Sequence, residues 1–373
     1  MAILDRARLE SLRLERLEEL RGLKAQGKKV VGYFCLYVPV EIVQAAGAIP
    51  VRLARADYQS AVEGERFLRA DACPFCKASL GKFVHDPLYQ LVDGVVTVNT
   101  CDMMRRLPEA LTTNFSVPVF LLYLPRTSEL FPNRLQEFQA GLRDLKAWLG
   151  GLTGQKWQEE RLREAIDEAN QLRRKLQELD QTRAEMPPPI SGGELFDIVA
   201  LATLLPPKRM LNLLNELSAV RRTQAGVVNK NRARLLLTGS ILAEEDRTLI
   251  EIVEEKADIV ADTVCTGSRW FNEAITVEEE PFAGLARFYF SRTPCACRRP
   301  NTALFEYIKQ QVAARKVQGI VSKSLLYCDA YRFEVKQLRQ EVGLPVLEVD
   351  GDYSQVNRQQ LRTRVEAFLE MLR

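Results

Sequence analysis

Histidine is all but missing from this chain: among 373 residues there is one, His85. A Ser-His-Asp triad or a Cys/His zinc site therefore has almost nothing to be built from, and the single imidazole reads as a local cap or packing group. Glycine-rich phosphate loops are missing too. Neither a Walker-type loop nor Gly-x-Gly-x-x-Gly occurs, so nothing in the chain is arranged to cradle a nucleotide's phosphates. No apolar run approaches the roughly 20 residues of a membrane-spanning helix, and Met1 to Lys29 is a charged Leu/Arg/Glu pattern without a signal-peptide apolar region. Charge of one sign is not in excess: 52 Lys and Arg against 49 Asp and Glu leave +3, which makes no electrostatic case for nucleic acid. These absences point to a cytoplasmic protein with no membrane and no nucleic-acid partner, in a compartment where structural disulfides are uncommon.

What is present in quantity is an apolar inventory, 46% of residues, sufficient for two or three domains with cores of their own. From Lys28 to about Arg126 short apolar runs (Val30–Phe34, Ile49–Leu53, Gly94–Asn99, Val117–Leu122) alternate with helical patterns such as Pro39–Ala46. The alternation returns at Leu235–Thr238, Asp258–Asp262, Gly319–Ser322 and Pro345–Val349, with a last helix over about Asn357–Leu372. Such alternation indicates parallel sheets covered on both faces. Between the two stretches strand signals vanish. Trp157–Glu185 reads as a long charged helix with apolar residues at helical spacing, solvated or facing a second copy, and Pro187-Pro188-Pro189 stops it. The expected organisation is α/β: two doubly wound, Rossmann- or flavodoxin-like parallel-sheet domains joined by a helical connector. An N-terminal helix covers residues 1–27, the first α/β domain 28–131, the connector 132–231 and the second α/β domain 232–373.

Eight cysteines sit in this frame as two sets of four: Cys35, Cys73, Cys76, Cys101 and Cys265, Cys295, Cys297, Cys328. The segments Val92-Asp93-Gly94-Val95-Val96 and Val317-Gln318-Gly319-Ile320-Val321 match by eye, and each runs on to a Cys-Asp pair, Cys101-Asp102 and Cys328-Asp329. The repeat is imperfect, since Ser240 stands after the first strand of the second half where Cys35 stands in the first. Cys35, Cys101, Cys265 and Cys328 follow strands, at the carboxyl ends where open α/β sheets bind ligands. Cys73 and Cys295 precede helical patterns whose amides favour a thiolate. Structural zinc prefers two short Cys-x-x-Cys knuckles; one close pair plus two distant singles per half suits an iron–sulfur cluster in a cleft. A set of merely buried apolar cysteines leaves the Cys-Asp recurrence unexplained. Thr266-Gly267-Ser268-Arg269 reads as a turn, and Arg105-Arg106 and Arg298-Arg299 beside the candidate ligands as counter-charges or as solvated groups.

At these residues the chain resembles a known family. Val31-Gly32-Tyr33-Phe34-Cys35-Leu36-Tyr37-Val38-Pro39-Val40-Glu41-Ile42, Ala45-Ala46-Gly47-Ala48-Ile49-Pro50-Val51, Asp71-Ala72-Cys73-Pro74-Phe75, the two Cys-Asp segments and Arg364-Val365-Glu366-Ala367-Phe368 are similar to the 2-hydroxyacyl-CoA dehydratase and benzoyl-CoA reductase group. The resemblance covers nearly the whole chain. It implies an oxygen-sensitive iron–sulfur protein that receives electrons from a separate ATP-hydrolysing activator. Dehydratase subunits of the family hold one [4Fe-4S] cluster through three cysteines and assemble as heterodimers. Full thiol sets in both halves make this chain resemble more the family's double-cubane cluster proteins, in which an [8Fe-9S] group takes three cysteines per cubane. The resemblance thus implies Cys35, Cys73 and Cys101 for one cubane and Cys265, Cys295 and Cys328 for the other, with Cys76 and Cys297 as spares able to replace their neighbours. It implies a homodimeric oxidoreductase that reduces a small molecule with low-potential electrons from that activator. The alternative within the family is a [4Fe-4S] 2-hydroxyacyl-CoA dehydratase subunit, a lyase. A zinc-stabilised binding protein is the non-enzymatic alternative.

Overall fold

The computed structural model describes residues 4–223, 232–276, 280–354 and 356–372. Short apolar runs form two four-stranded parallel sheets. The first contains β1 (Val30–Tyr33), β2 (Ile49–Arg52), β3 (Gly94–Val98) and β4 (Val119–Leu122) in the order β2-β1-β3-β4. The second contains β5 (Ala233–Gly239), β6 (Ala257–Asp262), β7 (Gly319–Leu325) and β8 (Val346–Gly351) in the order β6-β5-β7-β8. Both orders are the same with the strands renumbered, which bears out two doubly wound parallel-sheet units. β1, β3 and β7 are buried along their whole length, as strands covered by helices on both faces must be.

In each sheet the chain lays down one neighbour of its first strand and then crosses to the other side. The order reverses between β1 and β3, paired from Val31↔Gly94 to Tyr33↔Val96, and between β5 and β7, paired from Leu235↔Gly319 to Gly239↔Lys323. Helices that cover adjacent strands diverge there and leave a crevice at the carboxyl ends. The two crevices open toward each other.

Four helices occupy the middle of the chain, Pro132–Thr153, Glu159–Gln181, Gly192–Ala202 and Pro207–Thr223. The end of the expected connector, residues 224–231, lies outside the described residues. Helix Pro132–Thr153 buries Phe138, Leu142, Leu145 and Leu149, a stripe three to four residues apart that marks one apolar face. The charged helix differs from its sequence reading. It buries Leu162, Ile166, Ala169, Leu172, Arg173 and Leu176 and is a core element with one wet face, because long charged side chains on its outer face dominate its composition. Ser191 opens the next helix with a reciprocal capping box to Glu194, which satisfies two otherwise orphaned amides.

The halves are tied directly. The loop after β5 reaches the first half through Glu245, which accepts from Arg55 Nε at 2.7 Å and Ala56 N at 2.9 Å, while Glu244 N donates to Ala54 O at 3.1 Å. A short parallel bridge joins Thr127 to Arg299. Glu41, Arg173 and Tyr289 form a buried cluster from three separate helices: Arg173 Nη2 lies 2.6 Å from Glu41 Oε1 and the Tyr289 hydroxyl donates to Glu41 Oε2 at 2.8 Å. No helix among the described residues is long and apolar enough to cross a membrane.

Candidate functional site

All eight cysteines are free and line one cavity of about 500 Å³ between the two crevices. Residues separated by nearly the whole chain thus share one space, and the six expected ligands Cys35, Cys73, Cys101, Cys265, Cys295 and Cys328 are among them, as are Cys76 and Cys297. Among the described residues no three Cys, His, Asp or Glu side chains converge as they would around a single metal ion. The thiols are spread over the walls of a wide space instead.

The strand placements hold in detail. Cys35 follows β1, Cys101 follows β3, Cys265 follows β6 and Cys328 follows β7. Ser240 stands at the end of β5 on the cavity wall, its hydroxyl accepting from Leu325 N at 2.9 Å. Three cysteines are helix N-caps: Cys73 for Pro74–His85, Cys101 for Asp102–Asn114 and Cys328 for Asp329–Val342. Met104 N donates to Cys101 Sγ at 3.4 Å. Each of these helix ends presents unpaired amides and a partial positive charge to the cavity. Cys295 differs from its sequence reading, because the following helix begins only at Thr302 and so offers it no terminus.

The cavity has two walls, and they do not follow the halves of the sequence. Cys73, Cys76, Cys101 and Cys328 pack against one apolar cluster, with Phe34, Phe75 and Leu107. Cys35, Cys265 and Cys295 pack against another, with Tyr37, Leu124 and Phe290. Each wall draws on both halves of the chain. This regroups the thiols relative to the chain-order trios, because the crevices face each other and bring Cys328 beside Cys73 and Cys101, and Cys35 beside Cys265 and Cys295.

The thiols are electrostatically unequal. A hydrogen bond from Cys76 lowers Cys73 to about 7, while Cys76 is pushed well above its ordinary value. Cys297 lies between Cys101 and Cys295, and its single thiol proton can serve either one. Its protonated thiol lowers Cys101 and brings Cys295 down to about 6, where Arg269 and Arg298 assist. Burial raises Cys35 and Cys328 to about 12.

Four arginines flank the Cys35/Cys265/Cys295 wall, and sequence reading singled out only Arg298 and, within a turn motif, Arg269. Arg52, Arg269, Arg292 and Arg298 are each 1–2% exposed. Arg298 is no surface group: it donates to the carbonyls of Phe290, Pro125 and Thr127 and lies over the Tyr37 and Phe290 rings. The Thr266–Arg269 segment is indeed a turn, pinned by Ser268 N to Asp262 Oδ1 at 2.7 Å, and it sends Arg269 inward. The signal for Arg52 was a charged residue inside the apolar run Ile49–Leu53, a pattern that burial in a parallel strand makes costly without a purpose. Arg105 and Arg106 are exposed, and Arg106 pairs with Asp102. Arg299 lines the mouth and pairs with Glu334. His85 ends its helix 3.4 Å from the Ser60 hydroxyl, away from the thiols.

Thiols as donors, three helix termini and buried guanidinium groups together fit a multi-thiolate anionic group. Known proteins point the same way. The profile of the family described as 2-hydroxyglutaryl-CoA dehydratase, D-component, matches residues 35–372. The Escherichia coli (strain K12) protein YjiM is 30% identical over 94% of this chain and 93% of its own. The (R)-phenyllactyl-CoA dehydratase beta subunit of Clostridium sporogenes is 24% identical over 95% and 94%. A benzoyl-CoA reductase subunit from Thauera aromatica is 21% identical over 81% and 79%.

Proposed function

The chain belongs to the 2-hydroxyglutaryl-CoA dehydratase D-component family, and from that premise we propose that it is an iron–sulfur reductase whose eight-thiol cavity holds a double-cubane [8Fe-9S] group. The observation that carries the reading is that every cysteine of the chain lines one cavity. A single [4Fe-4S] group takes at most four thiolates and leaves the rest without a role. When bound, such a group stores and passes on low-potential electrons.

The protein's own residues supply the container. On one wall Cys73, Cys101 and Cys328 are the ligands, each backed by helix amides that stabilise a thiolate. On the other, Cys35, Cys265 and Cys295 are the ligands. Cys76 and Cys297 donate hydrogen bonds to ligand sulfurs and stand ready as replacements. Phe34, Leu36, Phe75 and Leu325 line the same space and exclude water, which strengthens every charge interaction within it. The substrate is a small molecule that enters past Tyr327 and Phe333, exposed at the mouth.

A nucleotide loop is absent from the sequence, so ATP hydrolysis belongs to a separate activator that delivers the electrons. The protein works in the cytoplasm as a homodimer, which light scattering at micromolar concentration tests. The second reading is a [4Fe-4S] 2-hydroxyacyl-CoA dehydratase subunit, and one observation favours it: the Cys73/Cys76/Cys101/Cys328 wall alone has thiols enough for one cubane. Anaerobic purification with iron analysis separates the two. The double-cubane reading expects about eight irons per chain and a fall to about four or fewer in Cys35→Ser or Cys265→Ser. About four irons, unchanged by those substitutions, overturns it in favour of the dehydratase subunit, and zinc in place of iron overturns both.

A further inference from the structure

Buried arginines in this fold either pair with carboxylates or are saturated by backbone carbonyls. Arg173 pairs with Glu41, Arg183 with Asp180 and Asp262, and Arg315 with Asp180. Arg234 lacks a carboxylate but is saturated by the carbonyls of Arg183, Ala184, Glu185 and Arg315. Arg52 and Arg269 follow neither pattern. Arg52 Nη1 donates to Cys265 O at 2.8 Å, and its Nε and Nη2 have no partner. Arg269 donates to the Tyr331 hydroxyl and to Thr293 O, both at 3.1 Å, and its Nε has no partner. Among the described residues neither one has a carboxylate at ion-pair distance, although Glu244 lies near enough to Arg52 to feel its charge. A buried guanidinium with neither an ion pair nor a full set of acceptors is unfavourable, and an anion beside Arg52 and Arg269 would satisfy both.

The anion's position follows from what the two guanidinium groups face. Arg52 is bonded to the carbonyl of Cys265 itself, and Arg269 to Tyr331, which lines the cavity with Cys35, Cys265 and Cys295. Arg292 and Arg298, satisfied by carbonyls, add charge of the same sign behind this wall. The opposite wall has the N-caps Cys73, Cys101 and Cys328, where a helix terminus contributes only about half a charge that fades within one turn, and Lys77, whose charge Glu65 offsets at 2.8 Å. The two walls are therefore unequally positive.

We propose that Arg52 and Arg269 are the counter-charges of an anionic group held by Cys35, Cys265 and Cys295, and that they make this wall the first to accept an electron. The proposal rests on the double-cubane reading above. Its redox content is one electron from a chemical or protein reductant. One negative charge is added, and no bond is made or broken. A unit charge about 10 Å away at an effective dielectric of about 20 shifts such an equilibrium more than tenfold. Arg52 and Arg269 are positioning residues that act through charge.

The test is a redox titration of the loaded protein, monitored by electron paramagnetic resonance. Arg269→Gln and Arg52→Gln should each lower the equilibrium for the first electron by about tenfold, or about 59 mV for a one-electron couple. Arg269→Lys, which keeps the charge, should restore it. Lys77→Gln removes a buried cation beside Cys73 on the other wall and should leave the first step in place. Both Gln variants holding about eight irons with an unmoved first step overturns the proposal. A first step displaced as far by Lys77→Gln as by either arginine change also overturns it, and that result is readable where only one of the two Gln variants loads. About four irons in the unmodified chain defeats the double-cubane reading itself, a different failure read from composition rather than potential.

Discussion

Replacing Arg173 by Met tests how the loop bearing Cys35 is held. Glu41 lies in helix Val40–Ala45, a few residues after Cys35, and its side chain is fully buried between Arg173 and Tyr289. Arg173 is also stacked 5.1 Å from the Phe288 ring centroid. The variant leaves a buried carboxylate with one phenol donor, a loss of about 3–5 kcal/mol. Against a typical domain stability of about 5–15 kcal/mol, that lowers the folded-to-unfolded ratio by two to three powers of ten or more, at about 1.4 kcal/mol per tenfold. Urea denaturation of the reduced, cluster-free protein should show a lower midpoint with an unchanged slope. Arg173→Met/Glu41→Leu removes more atoms yet should be more stable than Arg173→Met. Its remaining deficit is the unpaired Tyr289 hydroxyl, about 1–3 kcal/mol. A double variant whose loss equals the sum of the two single losses refutes this account, as does a single-variant loss below about 1 kcal/mol. Iron retention should follow the same ranking if the cluster of three side chains fixes the Cys35 loop.

Thiol reactivity should separate the cysteines of the cluster-free protein. Between pH 5 and 8, iodoacetamide should label Cys295, lowered to about 6, and then Cys73, at about 7, while Cys35 and Cys328, raised to about 12, stay protonated and unlabelled, as read by peptide mass spectrometry. Burial works against the Glu245 charge, but Arg55, Lys82 and the Ala56 amide outweigh it and hold the carboxyl below its ordinary value. Its stabilising contribution is therefore complete above the usual carboxylate range and is lost as pH falls through the lowered value. Glu245→Gln should flatten that acid limb of the stability curve measured by thermal melting. Gly239→Ala should prevent the second sheet from closing, since φ is +124° and a Cβ would lie 1.8 Å from Lys323 O. The expectation is insoluble expression or a melting temperature lower by more than 10 °C, given that about 1 kcal/mol moves a large domain by a few degrees.

Strands and their parallel arrangement were legible because apolar runs such as Val30–Phe34 and Gly94–Asn99 are short and bounded by turn residues. The observed strands differ from these readings mostly by a residue or two at their ends, where pattern alone carries little information. The placement of Cys35, Cys101, Cys265 and Cys328 after strands was legible for the same reason. How the thiols divide between the walls was not, since it depends on how the two sheets face each other, and local pattern does not encode that. The buried faces of helix Glu159–Gln181 were obscured by its charged outer face. Arg269 is visible in the sequence only as part of a turn and Arg52 only as a charge inside an apolar run, because nothing in the composition distinguishes an arginine paired with a carboxylate from one that is not. That distinction exists only once the chain is folded.

The division of each wall between distant parts of the chain also sets an order of events during synthesis. Domains tend to fold as they emerge, the earlier ones first. Cys35, Cys73 and Cys101 can be presented by a folded first sheet long before β7 and the helix capped by Cys328 have left the ribosome. A nascent chain at that stage displays three of the thiols without the opposing crevice. Any group that spans both walls can be enclosed only after the second sheet has arrived to close the cavity.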